Sequence, residues 1–401
     1  MLVNGPRQSS KTTLALNLGE DRPRRYISLD EAHTLAAAKA DPSGFIAALE
    51  GPVTLDEIQH APELFPAIKV AVDRKRQPGR FLLTGSANVL LLPRLAESLA
   101  GRMQILTLWP LSQGEIEGSR EGFLDTIFGA GAIKHFEVAE DRDDLIRRAL
   151  RGGYPGIIEW SDEEERRDWF HSYVTTLLQR DVRDLANVEG LTALPNLLSL
   201  LAVRSGSLVN FAELSRSAAI AQSTLKRYVT LFQATFMVDT VPAWSADLSK
   251  RLIKAPRLVV TDTGLMSHLA RVSRARLDHE PALAGWLLES FVITELRKQA
   301  AWSEGRPDLF HFRAVTGQEV DVILEDRAGR IVGVEIKASS TVAGGDFRGL
   351  DTLRTVASKR FHRGVVLYAG RQALPFGPGL HALPISALWR LGRASRAADQ
   401  N

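Results

Sequence analysis

Short apolar runs of strand length recur at Met1–Val3, Tyr26–Leu29, Pro52–Leu55 and Arg80–Leu83. Helix-like stretches lie between them, at Lys11–Leu18, Ala32–Ala40 and Pro62–Arg74. Strands alternating with helices predict βαβ units and a parallel sheet, with functional loops at the C-terminal ends of the strands. The first run enters a Gly/Ser loop, Gly5–Ser10, with almost no chain before it. That predicts either a minimal start or a late start codon.

From about Leu111 the pattern changes. Gly118–Asp144 is rich in Gly and acidic residues and reads as a connector or small lid. Helical periodicity follows at Glu163–Leu185 and Leu191–Val203. Then come Phe211–Ala218, a short turn at Ala219–Gln222 and a helix at Ser223–Phe236, followed by strand-like Met237–Trp244 and Arg257–Val260. Helix, tight turn, helix and two strands is the order of a winged helix-turn-helix. A helix at Gly285–Ala300 precedes strand-like Leu309–Arg313, Glu319–Glu325, Ile331–Lys337 and Gly364–Tyr368. The polar tail Ala394–Asn401 is low in complexity. The expected division is a parallel-sheet α/β part over 1–110, a helical connector over 111–190, a winged helix over 191–275, an α/β domain over 276–392 and a tail over 393–401.

Composition narrows the class. The chain has 401 residues, 45% hydrophobic and 24% charged, which excludes wholesale disorder and fibrous repeats and leaves room for several cores. Fifty Lys+Arg against 47 Asp+Glu leave only +3, so any nucleic-acid-binding surface has to be local. The absence of cysteine removes disulfides, Cys-zinc sites and thiol catalysis. No secretory signal pattern is visible, and the apolar run Leu90–Leu92 is broken by Pro93 and Arg94. The expectation is a soluble, cytoplasmic protein with no membrane partner.

The chemistry concentrates first in Gly5-Pro6-Arg7-Gln8-Ser9-Ser10-Lys11-Thr12-Thr13. This fits the nucleotide-binding phosphate loop, G-x-x-x-x-G-K-[ST], except that Ser10 replaces the second glycine. Such a loop turns backbone N–H groups toward phosphates above a helix N-terminus, adds a Lys for β/γ charge and a hydroxyl for Mg²⁺. Lys11 and Thr12 fill the last two roles; a Cβ at Ser10 is expected to affect hydrolysis more than binding. Val53-Thr54-Leu55-Asp56-Glu57 is an apolar strand ending in two acids. Asp56 suits the Mg²⁺ shell with Thr12, and Glu57 suits the deprotonation of an attacking water. Alternatively, these acids cap the next helix. In Phe81-Leu82-Leu83-Thr84-Gly85-Ser86 either Thr84 or Ser86 can face the γ-phosphate or its water, and Arg102 is a candidate arginine finger, in cis or from a neighbouring subunit. The cofactors expected are ATP and Mg²⁺.

Nearly the whole chain resembles the prokaryotic AAA-type P-loop ATPases joined to a C-terminal domain of unknown function. The segments that carry the resemblance are GPRQSSKTTL, TLDEIQHAPELF, FLLTGSANVLLL, LAGRMQILTLWPLS, GGYPGI, KAPRLVVTDTGL, GWLLESFVITEL, GQEVDVILE and VEIKAS. Similar proteins generally carry glycine where Ser10 stands, and a longer N-terminal lead-in. The resemblance implies ATP binding and a nuclease-like C-terminal fold.

A second constellation lies in the C-terminal part. Glu289 sits on the predicted helix and Asp321 on a strand, while Glu335 and Lys337 share one face of the next strand. Helix Glu, strand Asp, then Glu-x-Lys resembles the PD-(D/E)XK nuclease core, in which carboxylates hold Mg²⁺ and Lys activates water. These residues are a possible second metal site; the alternative is a buried ion network. In the winged-helix segment Gln222, Ser223, Thr224, Lys226 and Arg227 can reach a DNA groove, with Lys250, Arg251, Lys254 and Arg257 beside phosphates. The bland alternative is a packing module; Tyr228, Phe232 and Phe236 form a core stripe.

The fold class expected is therefore α/β: a parallel-sheet P-loop NTPase (AAA-type) domain, a helical/winged-helix middle and an α/β restriction-endonuclease-like C-terminal domain. The function expected is a Mg²⁺-dependent ATPase whose nucleotide state controls engagement of DNA, a protein partner or a second copy. The rivals are a nucleotide-gated switch with little hydrolysis and a metal-dependent nuclease regulated by ATP.

Overall fold

A computed structural model describes residues 1–18, 23–88, 101–182, 191–314 and 316–391. The run Leu90–Leu92 and the tail Ala394–Asn401 lie outside the described residues. The chain divides into two compact units: Met1–Pro110 with Thr176–Glu189 and Lys226–Val238, and Leu111–Thr175 with Gly190–Leu225 and Asp239–Asn401.

The first unit is built on five parallel strands in the order β2-β3-β4-β1-β5. These are β1 (Leu2–Asn4), β2 (Arg25–Ser28), β3 (Val53–Asp56), β4 (Phe81–Gly85) and β5 (Ile105–Thr107). Strand β5 is an element that the apolar pattern alone did not single out. Helices α1 (Lys11–Asn17), α2 (Ala32–Ala40), α3 (Pro42–Ala47) and α4 (Leu64–Arg74) make the crossovers. Alternation decides the faces. Leu2 joins a core of Val53, Leu55, Phe65, Ile68 and Leu83, whereas Val3 packs with Ala15 of α1 and Leu82. Strand β3 is buried along its whole length, as a central parallel strand covered on both faces has to be. The register Ser28↔Asp56 and Leu55↔Leu83, with Asn4↔Gly85, brings the C-terminal ends of β1 to β4 together.

The second unit carries a six-stranded mixed sheet in the order β12-β13-β11-β10-β9-β8. The helix Ala282–Trp302 leads into β8 (Asp308–Arg313), β9 (Glu319–Glu325) and β10 (Ile331–Lys337), an antiparallel meander. After the helix Arg348–Ala357, β11 (Phe361–Tyr368) returns parallel to β10, and β13 (Leu380–Pro384) runs parallel to β11. The edge piece β12 (Leu374–Pro375) pairs antiparallel to β13. In chain order, helices Leu194–Val203, Phe211–Ala218 and Gln222–Ala234, the last of which belongs to the first unit from Lys226 on, precede β6 (Val238–Val241), which pairs with β7 (Arg257–Val260). A bridge between Leu208 and Arg257 adds a third strand-like contact.

Two stretches differ from the periodicity. The Gly- and acid-rich segment contains the helix Phe123–Phe128, whose Phe123, Leu124, Ile127 and Phe128 are all buried, and the helix Arg142–Arg151 begins just before its end. Counting polar residues obscured four apolar ones at helical spacing. The helix starting at Glu163 is α-helical only to Thr176; Leu177–Val182 is wound as a π-helix.

The second unit also buries charge. Lys298 Nζ donates to Glu295 Oε1 at 2.7 Å and to Leu111 O at 3.0 Å, while Gly153 N–H donates to Asp262 Oδ2 at 2.7 Å. At Gly152, with φ +75°, a Cβ would lie 2.3 Å from Asp262 Oδ1, so only glycine allows this approach. No helix among the described residues is long and apolar enough to cross a membrane.

Candidate functional site

The loop between β1 and α1 owes its shape to three residues with left-handed backbone, Gly5 (φ 151°), Gln8 (φ 62°) and Ser10 (φ 64°). A Cβ on Gly5 would sit 2.1 Å from Leu108 O, so the glycine is required by the close approach of the segment after β5. Ser10 holds a conformation that costs a residue with a Cβ about 1 kcal/mol, which explains why glycine is the usual residue there. Backbone turned this way forms a concave set of N–H groups suited to phosphate oxygens, at the N-terminus of α1.

Lys11 is 5% exposed and its Nζ donates to Pro6 O at 2.7 Å, which also accepts from Ser9 Oγ at 2.9 Å. Burial pushes the Lys11 ammonium down to about 8, while the charges of Glu57, Asp56 and Asp181 oppose the shift and Arg7 adds to it. A buried cation facing a loop of N–H groups is matched to a polyanion.

Asp56, at the end of β3, is 3% exposed and gathers hydroxyls. It accepts from Thr12 Oγ1 at 3.0 Å, from Tyr26 OH at 2.5 Å and from the Thr84 hydroxyl. The Tyr26 phenol is pushed far up by burial and by its bond to Asp56. A hydroxyl and a carboxylate oxygen 3.0 Å apart are hard oxygen donors, and this pair fits a Mg²⁺ ion. Glu57 follows with left-handed backbone (φ 56°). Its N–H donates to Thr84 Oγ1 at 3.2 Å and its carboxylate accepts from Gln59, whose Nε2 also donates to Ser86 Oγ at 3.0 Å. Three of the left-handed non-glycine residues, Gln8, Ser10 and Glu57, thus lie in this one site, the kind of place where backbone strain collects.

The structure therefore brings together Gly5 to Thr12, Asp56, Glu57, Thr84 and Ser86. Of the two hydroxyls after β4's apolar run, Thr84 donates to Asp56, whereas Ser86 is joined to Glu57 through Gln59. Thr13 is exposed on α1. Arg102 donates to Asp73 Oδ1 at 2.7 Å, the next-to-last residue of α4. Sequence reasoning missed Tyr26, Gln59 and Asp181. Gln59 stands two residues from Glu57 and was legible as a polar partner; Tyr26 meets Asp56 only through the pairing of β2 with β3.

In the second unit the acidic residues converge as well, with an arginine among them. Arg257 of β7 is 6% exposed; its Nη1 lies 2.8 Å from Glu289 Oε1 and 3.6 Å from Asp321 Oδ1, and its Nη2 lies 3.1 Å from Glu319 Oε2. Asp321 accepts from Ile336 N–H at 2.9 Å, and Lys337 Nζ lies 2.9 Å from Glu335 Oε1. Burial, then the Asp321 charge, raises Glu289 and Glu335 to about 7 each. At the expected second metal site, Glu289, Asp321 and Glu335 with Lys337 beside them, the Arg257 guanidinium lies among the carboxylates. Among the described residues no group of three His, Cys, Asp or Glu is arranged to hold a metal ion. This also removes Arg257 from the expected DNA-facing set. Arg251 leaves that set too: its side chain is 11% exposed, 2.8 Å from Glu325 and against the Trp244 ring. Gln222, Ser223, Lys226 and Arg227 are exposed.

Residues 1–117 match the family described as an AAA domain. Residues 142–276 and 284–388 match two families described as domains of unknown function, DUF8612 and DUF4143. The uncharacterized protein Rv2008c of Mycobacterium tuberculosis is 31% identical over 395 residues, covering 98% of this chain and 81% of that protein. The chain belongs to the same family. The uncharacterized protein Mb2031c of Mycobacterium bovis shows the same identity and coverage. Residues 1–117 carry an AAA-type P-loop domain, and the five-stranded parallel sheet with its phosphate loop is the fold that such a domain requires. The solved RuvB Holliday junction branch migration motor of Thermotoga maritima is 16% identical, covering 70% of this chain and 86% of that one, with a TM-score of 0.29. A likeness that loose adds nothing further.

Proposed function

We propose that this AAA-family chain is a Mg²⁺-dependent ATPase whose nucleotide state governs engagement of a partner, DNA in the first instance, by the chain beyond residue 190. The observation that carries the reading is the Thr12–Asp56 pair beside buried Lys11. Lys11 would leave Pro6 O for the β- and γ-phosphate oxygens, and Thr12 and Asp56 would hold the cation. A Mg²⁺ ion held by Thr12 and Asp56 would supply positive charge against the charge that builds on the leaving group. Glu57 would take a proton from water as its oxygen attacks the γ-phosphorus; the bond to the bridging oxygen breaks and ADP leaves. Gln59 holds the Glu57 carboxylate toward Ser86, so the base is oriented before the nucleotide arrives. Arg102, paired with Asp73, receives no step in this chain.

The DNA-engaging part rests on the order of helices Leu194–Val203, Phe211–Ala218 and Gln222–Ala234 and the β6–β7 pair, which suits a winged helix. The order helix, three-strand meander, helix, parallel strand in the second unit suits a PD-(D/E)XK-like core. One observation favours the rival reading of a nucleotide-gated switch with an inert nuclease-like part: Arg257 occupies the carboxylate cluster.

Steady-state ATP turnover in Mg²⁺, for the native chain and Lys11→Ala, with and without duplex DNA, tests the proposal. Turnover lost in Lys11→Ala and raised by DNA is the expected outcome. Binding of a fluorescent nucleotide without turnover above the variant would leave the switch in its place.

A further inference from the structure

The phosphate loop has a partner that its own motif does not account for. Arg7 Nε lies 2.5 Å from Asp181 Oδ2, and the two side chains are only 22% and 13% exposed. Asp181 belongs to the π-helical turn Leu177–Val182, anchored by buried Leu177, Leu178 and Val182. A π-turn is rare and occurs frequently at functional sites. Here the chain is α-helical to Thr176 and changes winding at the turn that delivers Asp181 to the loop.

Asp181 shares the field of the site. Burial raises its carboxyl, Arg7 opposes that, and the charge of Glu57 adds to it; in turn the Asp181 charge helps to keep Lys11 protonated. A carboxylate within range of Lys11 and Glu57 is a like charge to any polyphosphate that Lys11 receives. Its pairing with Arg7 is what makes it tolerable there. A polyphosphate carries more negative charge than one carboxylate and offers several oxygens to a guanidinium.

We infer that Asp181 is a positioning residue that holds Arg7 while the loop is empty, and that a nucleotide polyphosphate takes Arg7 from it, so that loop occupancy is felt at the Leu177–Val182 turn. The step is an exchange of ion pairs; no covalent bond changes. It rests on the nucleotide-binding reading and adds to it a competitor and a route by which occupancy leaves the loop.

The test uses the full chain and a fluorescent ATP analogue, with hydrogen exchange read over residues 177–182. Asp181→Asn, nearly isosteric, is expected to bind the analogue more tightly, by on the order of tenfold. Its turn should exchange fast with or without nucleotide, whereas the native turn loses protection only when nucleotide binds. Asp181→Glu should restore much of the native behaviour. Native affinity in Asp181→Asn, with exchange in the native turn indifferent to nucleotide, overturns the inference. So does a gain in affinity that persists undiminished in the Arg7→Gln background, since that would be plain charge repulsion with no shared arginine. If the native chain binds no more analogue than Lys11→Ala, the nucleotide reading itself falls and takes this inference with it.

Discussion

The Thr12 hydroxyl donates to Asp56 across 3.0 Å, tying the first turn of α1 to the end of β3. That bond joins residues 44 apart in sequence and places the two oxygens a cation would need side by side. Tyr26 and Thr84 complete the set from the strands on either side of β3. Asp56 is thus held by a hydroxyl from each neighbour before any ligand enters.

Tyr26→Phe removes one of those hydroxyls and leaves the ring in place. The loss of one hydrogen bond to a carboxylate costs stability of about 1–2 kcal/mol. Asp56, less restrained, should then need more Mg²⁺ for half-maximal turnover, by several-fold. A Mg²⁺ titration that superimposes on that of the native chain would remove Tyr26 from the site.

Ser10→Gly sets two terms of similar size against each other. Relief of the left-handed backbone contributes about 1 kcal/mol, and the extra freedom of glycine in the unfolded chain costs about 0.5–1 kcal/mol. The melting temperature should therefore move by no more than a few degrees. Turnover should rise clearly, because phosphate oxygens approach closest where the Cβ is removed. Equal turnover in the two proteins would mean that Ser10 does not limit the reaction.

Nucleotide affinity should depend on pH through Lys11. Its ammonium is held down to about 8 in the empty protein, and bound phosphate raises it again by adding negative charge. Binding therefore takes up a proton when the pH lies near or above 8, and affinity falls as the pH rises past that value. Titration calorimetry in buffers of different ionisation enthalpy at pH 8.5 reads the uptake directly; no buffer dependence would contradict it.

Arg257→Met retains packing volume but takes the guanidinium away from Glu289 and Asp321, while Glu319 keeps Arg313 at 3.2 Å. The folded values of Glu289 and Glu335 are raised to about 7, above those of the unfolded chain. A raised carboxyl contributes stability that is complete below about pH 4.5 and lost as the pH climbs through 7. Removing the guanidinium raises Glu289 further, so the variant should be destabilised most above pH 7, by about 2–4 kcal/mol, and recover toward pH 5.5. Urea melts at the two pH values give the comparison; an equal loss at both would show that the cluster is not charged in the native state.

Much of this molecule was legible in its residue order. Helices Ala32–Ala40 and Phe211–Ala218 and strands Glu319–Glu325 and Ile331–Lys337 stand where the residue pattern placed them. The loop Gly5–Ser10 and the acids Asp56 and Glu57 were readable because their roles depend on local spacing. Strand β5 and helix Phe123–Phe128 were not read, being short and flanked by residues of mixed character. Sequence alone puts Arg257 in a wing beside phosphates, with Lys250, Arg251 and Lys254, and only tertiary packing reveals its carboxylate neighbours.

What the sequence by itself determined is whatever is carried by nearest neighbours along the chain: the alternation that makes a parallel sheet, the loop before α1, and the acidic end of β3. Tertiary structure alone decided which distant charges meet. It brought Asp181 to Arg7, Tyr26 to Asp56 and Arg257 into the carboxylates, pairs whose partners lie on different elements. The reason is physical. Periodicity records which face of an element is buried, but a buried charge is satisfied by whatever the packing of strands and helices sets beside it.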